Sequence, residues 1–306
     1  MRLNLEQAAE TILKGDVVAI PTETVYGLAA KFDMPTAVQK VYELKDRPTE
    51  NPLIIHLQDS ASIYPFVDRV PDGFELLAKK FWPGPLTLVI PIKEQCIAAS
   101  VRAGLSTQAF RVPDHPLTRS LLRMTGPLVA PSANLSGNPS TVDPDQVEND
   151  FGSGFPVLDG GRCREGIEST ILVFKEGSWQ VGRLGAIPVE AFYRYLGYLP
   201  KTAKVDETPL CPGQSFRHYA PKAKLHFGED LQNASVIIGF SDRKYPSNAT
   251  LFSLGNSTLP IEAAYSLYTV LRELDQKGIR EAWIDAEIPQ GGLWNTIIER
   301  LKKASS

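Results

Sequence analysis

Between residues 16 and 184, short apolar runs of strand length alternate with segments of helical periodicity, and that alternation restricts the chain to few architectures. Residues 16–20 read as a strand closed by Pro21, 35–44 as a helix, and 52–57 as the next strand after a Pro-rich turn. Residues 74–82 form a helix stopped by Pro83-Gly84-Pro85. Residues 86–92 and 107–112 read as strands, 117–124 as a helix ending near Gly126, and 128–131 and 157–159 as two more buried strands. Residues 169–174 and 179–184 pair as a hairpin across 175–178. This order predicts an open α/β sheet, mixed rather than all-parallel because of the hairpin.

A chain of 306 residues exceeds the usual single compact domain, so two domains are expected. The alternation stops at residue 201 and resumes near 223. The stretch between has no convincing helix or strand pattern, yet holds Phe216, Arg217, His218 and Tyr219 between Pro212-Gly213 and Pro221. A purely solvated tether has little use for aromatics and a cation packed together. The segment therefore reads as a docking lid, with a plain linker as the alternative. Beyond it, strands at 236–240, 250–253 and 282–286 and helices at 261–276 and 293–303 predict a small Rossmann-like parallel α/β/α domain. The expected division is 1–200, 201–222 and 223–306.

Hydrophobic residues at 43% and charged residues at 22% are the balance of an ordinary globular protein. The longest apolar run, 86–92, is too short to span a bilayer. Near the N-terminus Leu3, Leu5, Ala8, Ala9, Ile12 and Leu13 recur at helical spacing instead of forming a secretory core, so no membrane association and a cytoplasmic location are expected. Cys96, Cys163 and Cys211 have neither zinc-site nor CxxC spacing and read as free thiols. After residue 200 there are 13 Lys and Arg against 12 Asp and Glu, and before it 19 against 23. Neither part has the basic excess of a protein that grips nucleic acid through many phosphates.

No GxxxxGK[ST] loop is present, and no GxGxxG opens a helix after a strand, so any nucleotide needs another device. Five polar or turn-rich segments follow strand or helix ends, where ligands gather in open α/β sheets: 21–27, 45–53, 106–111, 132–137 and 166–170. Each also has a plain structural reading. Thr24 and Ser132 suit helix caps, and Lys45 and Arg47 suit a helix C-terminus. His56 within an apolar strand suits a satisfied core position, and Glu168 and Arg183 suit a pair across the hairpin. Arg111, between Phe110 and Val112, is harder to absorb, because an arginine alternating with apolar residues wants a carboxylate or phosphate partner.

Together these segments resemble one family. PTETVYGL at 21–28, KDRPTENPL at 45–53, SANLSG at 132–137, GIEST at 166–170, VGRLGAI at 181–187, PGQSFRHYAP at 212–221 and GLWNTIIERLKKA at 292–304 are similar, in order, to the Sua5/YrdC/YwlC family of threonylcarbamoyl-AMP synthases in its long two-domain form. The resemblance covers the whole chain. It implies a YrdC-like twisted mixed sheet with a deep cavity, in which L-threonine, bicarbonate and MgATP give threonylcarbamoyl-AMP and pyrophosphate for the t6A modification at position 37 of tRNA. A separate transferase complex would move the group onto tRNA, leaving this chain at most a weak contact with tRNA.

Position by position, the resemblance implies a threonine set of Thr24, His56, Arg111, Ala130 and Ser169. It implies an ATP set of Arg47, Asn51, Thr107, Ser132, Ser140, Arg183 and Tyr219, with Lys45 and Arg47 as the catalytic cations and Mg2+ arriving with ATP. No protein metal site is implied. Two positions depart from the family: Gln-Ser-Phe stands at 214–216 where many relatives carry Met-Lys-Tyr, and Trp294 stands where small residues are frequent. Two rivals share the domain type. An RNA-binding module lacks support in the near-neutral charge, and a carbamoyl-transfer factor of the hydrogenase-maturation type would need zinc-finger cysteines and an acylphosphatase-like segment that this chain lacks.

Overall fold

The computed structural model describes residues 1–203, 211, 219–228 and 231–306. Among them, ten strands form one sheet: β1 (Arg2–Leu3), β2 (Val18–Ile20), β3 (Gly27–Lys31), β4 (Ile54–His56), β5 (Leu86–Pro91), β6 (Thr107–Arg111), β7 (Leu128–Val129), β8 (Val157–Leu158), β9 (Thr170–Lys175) and β10 (Ser178–Arg183). Their spatial order is β1-β8-β2-β3-β7-β4-β6-β5-β9-β10. The sheet is mixed, and for more reasons than the expected hairpin β9–β10. Antiparallel pairs also join β2 to β3, β3 to β7, β7 to β4 and β5 to β6.

Local sequence accounts for most elements. The helix Leu5–Leu13 starts with a capping box, in which the Asn4 side chain accepts from Gln7 N and the Gln7 side chain accepts from Asn4 N. The helix Pro35–Lys45 opens with proline at its first position and closes on Asp46 in the left-handed conformation, φ 50°. β3 carries only Gly, Leu, Ala and Lys, poor strand formers that hide it from propensity. It forms because it is sandwiched between β2 and β7. Gly27 allows the approach, since a Cβ there would lie 3.1 Å from the Ala130 Cβ and 3.3 Å from its carbonyl oxygen. The helix Pro144–Phe151 was also unanticipated, although Asp143 caps it by accepting from Gln146 N at 2.9 Å.

A second sheet of four parallel strands holds β11 (Lys224–Gly228), β12 (Val236–Gly239), β13 (Thr250–Ser253) and β14 (Glu281–Asp285), in the order β11-β14-β12-β13. The helices Pro260–Gln276 and Leu293–Ala304 pack against each other beside it. Trp294 is interior filler here, edge-on to Phe240 at 5.7 Å. The two sheets share one continuous apolar core, to which Tyr219, Leu225, Tyr268 and Trp294 contribute from beyond residue 203.

Polar and steric fit seal that junction. Arg272 pairs with Asp150 at 2.8 Å and its Nη2 also donates to the Pro139 carbonyl. Thr296 Oγ1 donates to the Gly185 carbonyl at 3.0 Å, and the Arg162 guanidinium lies 4.0 Å from the centre of the Tyr265 ring. Gly166 touches the backbone of the helix Pro260–Gln276. A Cβ there would sit 2.5 Å from Tyr265 Cα and 2.6 Å from the Ala264 oxygen, and its φ is +74°. Only glycine meets both requirements.

Candidate active site

One cavity gathers side chains from the large sheet, from the loops beside it and from Tyr219. It is lined by Val25, Arg47, Ile54, His56, Arg111, Ala130, Pro131, Ser132, Asn134, Asn138, Ser140, Glu168, Ser169, Arg183 and Tyr219. The site lies over one face of the large sheet as well as at strand ends. Ile54 and His56 alternate along β4, and His56 pairs in register with Arg111 on the parallel neighbour β6. Ile54, Ala109, Val89, Ile171 and Val173 form an apolar cluster with Cys211. The water-accessible space inside the cavity is about 70 Å³, far below the roughly 300 Å³ at the lower end of small-molecule sites. At least one wall therefore has to yield before a nucleotide fits. A roomier hollow of about 630 Å³ around Asp16, Lys40, Glu43 and Phe155 is shallow and mostly apolar, and its Lys40 is paired with Asp16 at 2.5 Å.

Arg111 already has an anionic partner. Its Nη2 lies 2.8 Å from Glu23 Oε1, both side chains being almost fully buried, and its Nε donates to the Gly84 carbonyl at 3.4 Å. The ion pair is close but not aligned as a hydrogen bond. Glu23 Oε2 accepts from Asp114 N at 3.0 Å. The sequence reading gave Arg111 to a ligand carboxylate and passed over Glu23, two residues from Pro21 in the same motif. A carboxylate so close to a cavity arginine cancels part of its charge and fixes its position.

His56 is buried, and its Nδ1 lies 3.3 Å from the Ile54 carbonyl. Burial, with Arg111 as the next cause, pulls its pKa down to about 3. The ring is therefore neutral near pH 7, which suits an orienting hydrogen-bond partner and makes it a weak base. In the unfolded chain the imidazole titrates near its ordinary 6.5. Between pH 6.5 and 3 the unfolded state then binds a proton that the folded state does not, so stability is complete above pH 6.5 and is lost as pH falls. Glu168, held down to about 2, adds to that loss only below its ordinary 4.5. Replacing His56 by Asn is expected to remove about 1.5 kcal/mol of the stability difference between pH 6.5 and pH 5. Urea unfolding of wild type and variant at the two pH values checks this, and equal pH dependence in the two would contradict it.

Arg47 lines the cavity while its Nε and Nη2 donate to the Asn51 and Pro52 carbonyls at 3.2 and 3.0 Å. Burial pulls the guanidinium down to about 10, so it stays charged at neutral pH. Arg183 Nη2 donates to the Ser169 carbonyl at 2.9 Å and to its hydroxyl at 3.3 Å, and the Ser169 and Thr87 hydroxyls lie 2.8 Å apart. Ala130 anchors its wall through its backbone N, which donates to the Ile54 carbonyl.

Four of the anticipated residues stand behind or away from the lining. Lys45 is fully buried in the last helical turn, and its Nζ donates to the Ser132 and Asn134 carbonyls, each at 2.5 Å. Burial and then Arg47 hold its pKa well below the ordinary lysine value. It ties the 132–134 loop to the helix instead of facing the cavity. Thr24 is buried with its hydroxyl 2.8 Å from that of Thr22. Asn51 is buried, and its Oδ1 has no hydrogen-bond partner among the described residues. Thr107 is half-buried at the opposite end of β6 from Arg111. The capping readings do not hold, because Thr24 leads into β3 and Ser132 bridges to Gly27. Within the lid segment, Phe216, Arg217 and His218 lie outside the described residues, while Tyr219 closes one wall of the cavity.

Glu168 is where the hairpin pairing reading is replaced. Its direct ion pair is with Arg300 at 3.1 Å, from the last helix of the chain. Tyr268 donates to both its oxygens at 2.8 Å, and Ser140 donates to Oε1 at 2.6 Å. Burial works against its charge, but Arg300 and then Arg183 overcome that. Asn134 was also passed over. Its Nδ2 donates to the Leu135 and Asn138 carbonyls, while its buried Oδ1 has no partner among the described residues, as expected of a group awaiting a ligand or water. Spacing gave no signal for Arg300 and Tyr268, which lie more than 90 residues from Glu168.

Comparison with known proteins finds matches along the whole length of the chain. Residues 10–185 match the Sua5–YciO–YrdC family model, described as "Telomere recombination", and residues 187–306 match that of the threonylcarbamoyl-AMP synthase C-terminal domain. The threonylcarbamoyl-AMP synthase of Bacillus subtilis is 35% identical over 98% of this chain and 92% of its own length. That of Pyrococcus abyssi is also 35% identical, over 97% and 93%. The crystal structure of P. abyssi Sua5 complexed with L-threonine superposes with a TM-score of 0.91 at 34% identity, covering 100% of this chain and 96% of that one.

Proposed function

The chain belongs to the Sua5/YrdC/YwlC family of threonylcarbamoyl-AMP synthases in its two-domain form, and on that footing we propose that it is a nucleotidyltransferase. It joins L-threonine, bicarbonate and ATP into threonylcarbamoyl-AMP and pyrophosphate, feeding the t6A modification of tRNA through a separate transferase complex in the cytoplasm. The observation that carries this reading is the balance of charge in one cavity. Arg47, Arg111 and Arg183 line it together, while the nearby carboxylates among the described residues, Glu23 and Glu168, are already matched by arginines. Such a wall suits two anionic substrates held side by side.

The chemistry asks for positioning more than for proton transfer. The ammonium of threonine and bicarbonate give a carbamate, one water and one proton, which leaves to solvent. A carbamate oxygen then attacks the α-phosphorus, the bond from that phosphorus to the α,β-bridging oxygen breaks, and pyrophosphate departs with that oxygen. The carbamate is already an anion and needs no base, in keeping with a neutral His56. Arg111 would meet the threonine carboxylate, with Ser169 and the Ala130 backbone beside it. Arg47 and Arg183 would face the phosphates, with Ser132, Ser140 and Tyr219 around the nucleotide. Lys45 would serve by fixing the Ser132–Asn134 loop.

Mg2+ would arrive with ATP and neutralise phosphate charge. Glu168 is fully occupied by Arg300, Tyr268 and Ser140, so the fitting protein donors are neutral oxygens such as Asn134 Oδ1, acting through the waters of the ion. Pyrophosphate release from ATP tests the proposal when threonine and bicarbonate are supplied singly and together. Release only with both, accompanied by AMP-linked threonylcarbamoyl in the product, is expected. Release of ADP and phosphate, or release without threonine, would contradict it.

A further inference from the structure

The C-terminal helices reach the cavity through one buried cluster. Arg300, with no exposed surface, pairs with Glu168 at 3.1 Å, donates from Nη2 to the Leu184 carbonyl at 2.7 Å, and places its guanidinium 4.7 Å from the centre of the Tyr219 ring. Tyr219 in turn stacks on Tyr268 at 5.5 Å and 24°, and Tyr268 donates to the same carboxylate. Arg272, from the helix that carries Tyr268, also donates to the carbonyls of Pro139 and Ser140. Three cavity residues, Ser140, Glu168 and Tyr219, are thus held from the domain that carries none of the other lining groups.

Glu168 is a liability for a site that takes a nucleotide. It lines the cavity near Arg183, and an uncompensated carboxylate there repels phosphates and draws on that arginine. We propose that Arg300 is a positioning residue for the nucleotide: by occupying Glu168 it keeps the cavity wall positive towards the phosphates and backs the Tyr219 ring, so that nucleotide affinity depends on the docked C-terminal domain. The inference rests on the reading of the cavity as an ATP site. It assigns the second domain an electrostatic contribution to binding in addition to the mechanical one of anchoring Tyr219.

The test is ATP affinity by calorimetry on full-length protein. Arg300→Met is expected to weaken ATP by about tenfold or more, the order set by one uncompensated charge within several ångströms of a phosphate. Adding Glu168→Gln to that variant should return affinity to near the wild-type value, because the offending charge is gone although the interface remains altered. A purely structural role for Arg300 gives no such recovery. Arg300→Lys, which keeps the charge, should stay close to wild type and covers the case in which Arg300→Met does not fold. Thr296→Val removes a hydrogen bond at the same junction without touching Glu168 and should leave ATP affinity unchanged. The inference is overturned if Glu168→Gln fails to rescue, or if Arg300→Lys loses as much as Arg300→Met. Wild-type protein that binds ATP but releases no pyrophosphate with threonine and bicarbonate would instead defeat the assigned reaction, leaving the affinity comparison intact.

Discussion

Arg111→Ala is expected to weaken threonine by about two orders of magnitude or more, the usual cost of truncating one partner of a buried charge pair, while ATP affinity stays near its wild-type value. The same substitution strands Glu23 in a site where it is 2% exposed. Breaking a buried pair in this way costs about 3–5 kcal/mol of stability. The two losses separate in a double variant. Arg111→Ala with Glu23→Gln should regain most of the stability, because the stranded charge is gone, yet remain as poor in threonine binding as the single variant. Equal loss of threonine and ATP affinity in Arg111→Ala, or recovery of threonine binding in the double variant, would show that Arg111 does not face the amino acid.

Gly166→Val is expected to undock the C-terminal domain. The residue sits at φ +74°, where an L side chain costs about 1–2 kcal/mol. Its Cβ would press on the backbone of the helix Pro260–Gln276 at 2.5 and 2.6 Å, contacts that no rotamer relieves. Overpacking of that kind adds about 1–3 kcal/mol. Loss of docking also removes Arg300 and Tyr268 from Glu168. The expected results are two separate thermal transitions in place of one, with threonine-dependent pyrophosphate release lost. A single transition at the wild-type temperature would contradict the tight approach.

Much of the fold was legible because its strands and helices carry their own signals. Val-, Ile- and Leu-rich runs at β4, β5, β9 and β12 read as strands, and proline at the first turn marks the helices Pro35–Lys45 and Pro116–Thr125. β3 escaped because its formation depends on neighbours, Gly27 against Ala130 in particular, and no local preference records that. The helix Pro144–Phe151 escaped despite a readable cap at Asp143, because Gln146 and Val147 give its buried face little apolar signal.

The site was legible where motifs bring polar residues to loops beside apolar strands. Nine anticipated side chains or backbones, Arg47 and Arg183 among them, do line one cavity. What sequence could not supply was pairing across distance. Glu23 is near Arg111 only because β6 and the loop before β3 meet in space, and Glu168 is near Arg300 only because two domains dock. Lys45 shows a different limit. Its position in a KxR pair suggests a cation aimed at ligand, whereas its ammonium is enclosed by the carbonyls of Ser132 and Asn134. Charge in a motif tells which groups are present, and only the surrounding chain tells which of them a ligand can reach.

The most direct measurement is a crystal structure of the protein with L-threonine and a non-hydrolysable ATP analogue bound together. The expected map places the threonine carboxylate on Arg111 and the phosphates on Arg47 and Arg183, with Tyr219 against the nucleotide and the threonine nitrogen turned towards the α-phosphorus. Ligands found in the hollow near Lys40 and Phe155, or a nucleotide whose phosphates avoid both arginines, would contradict it.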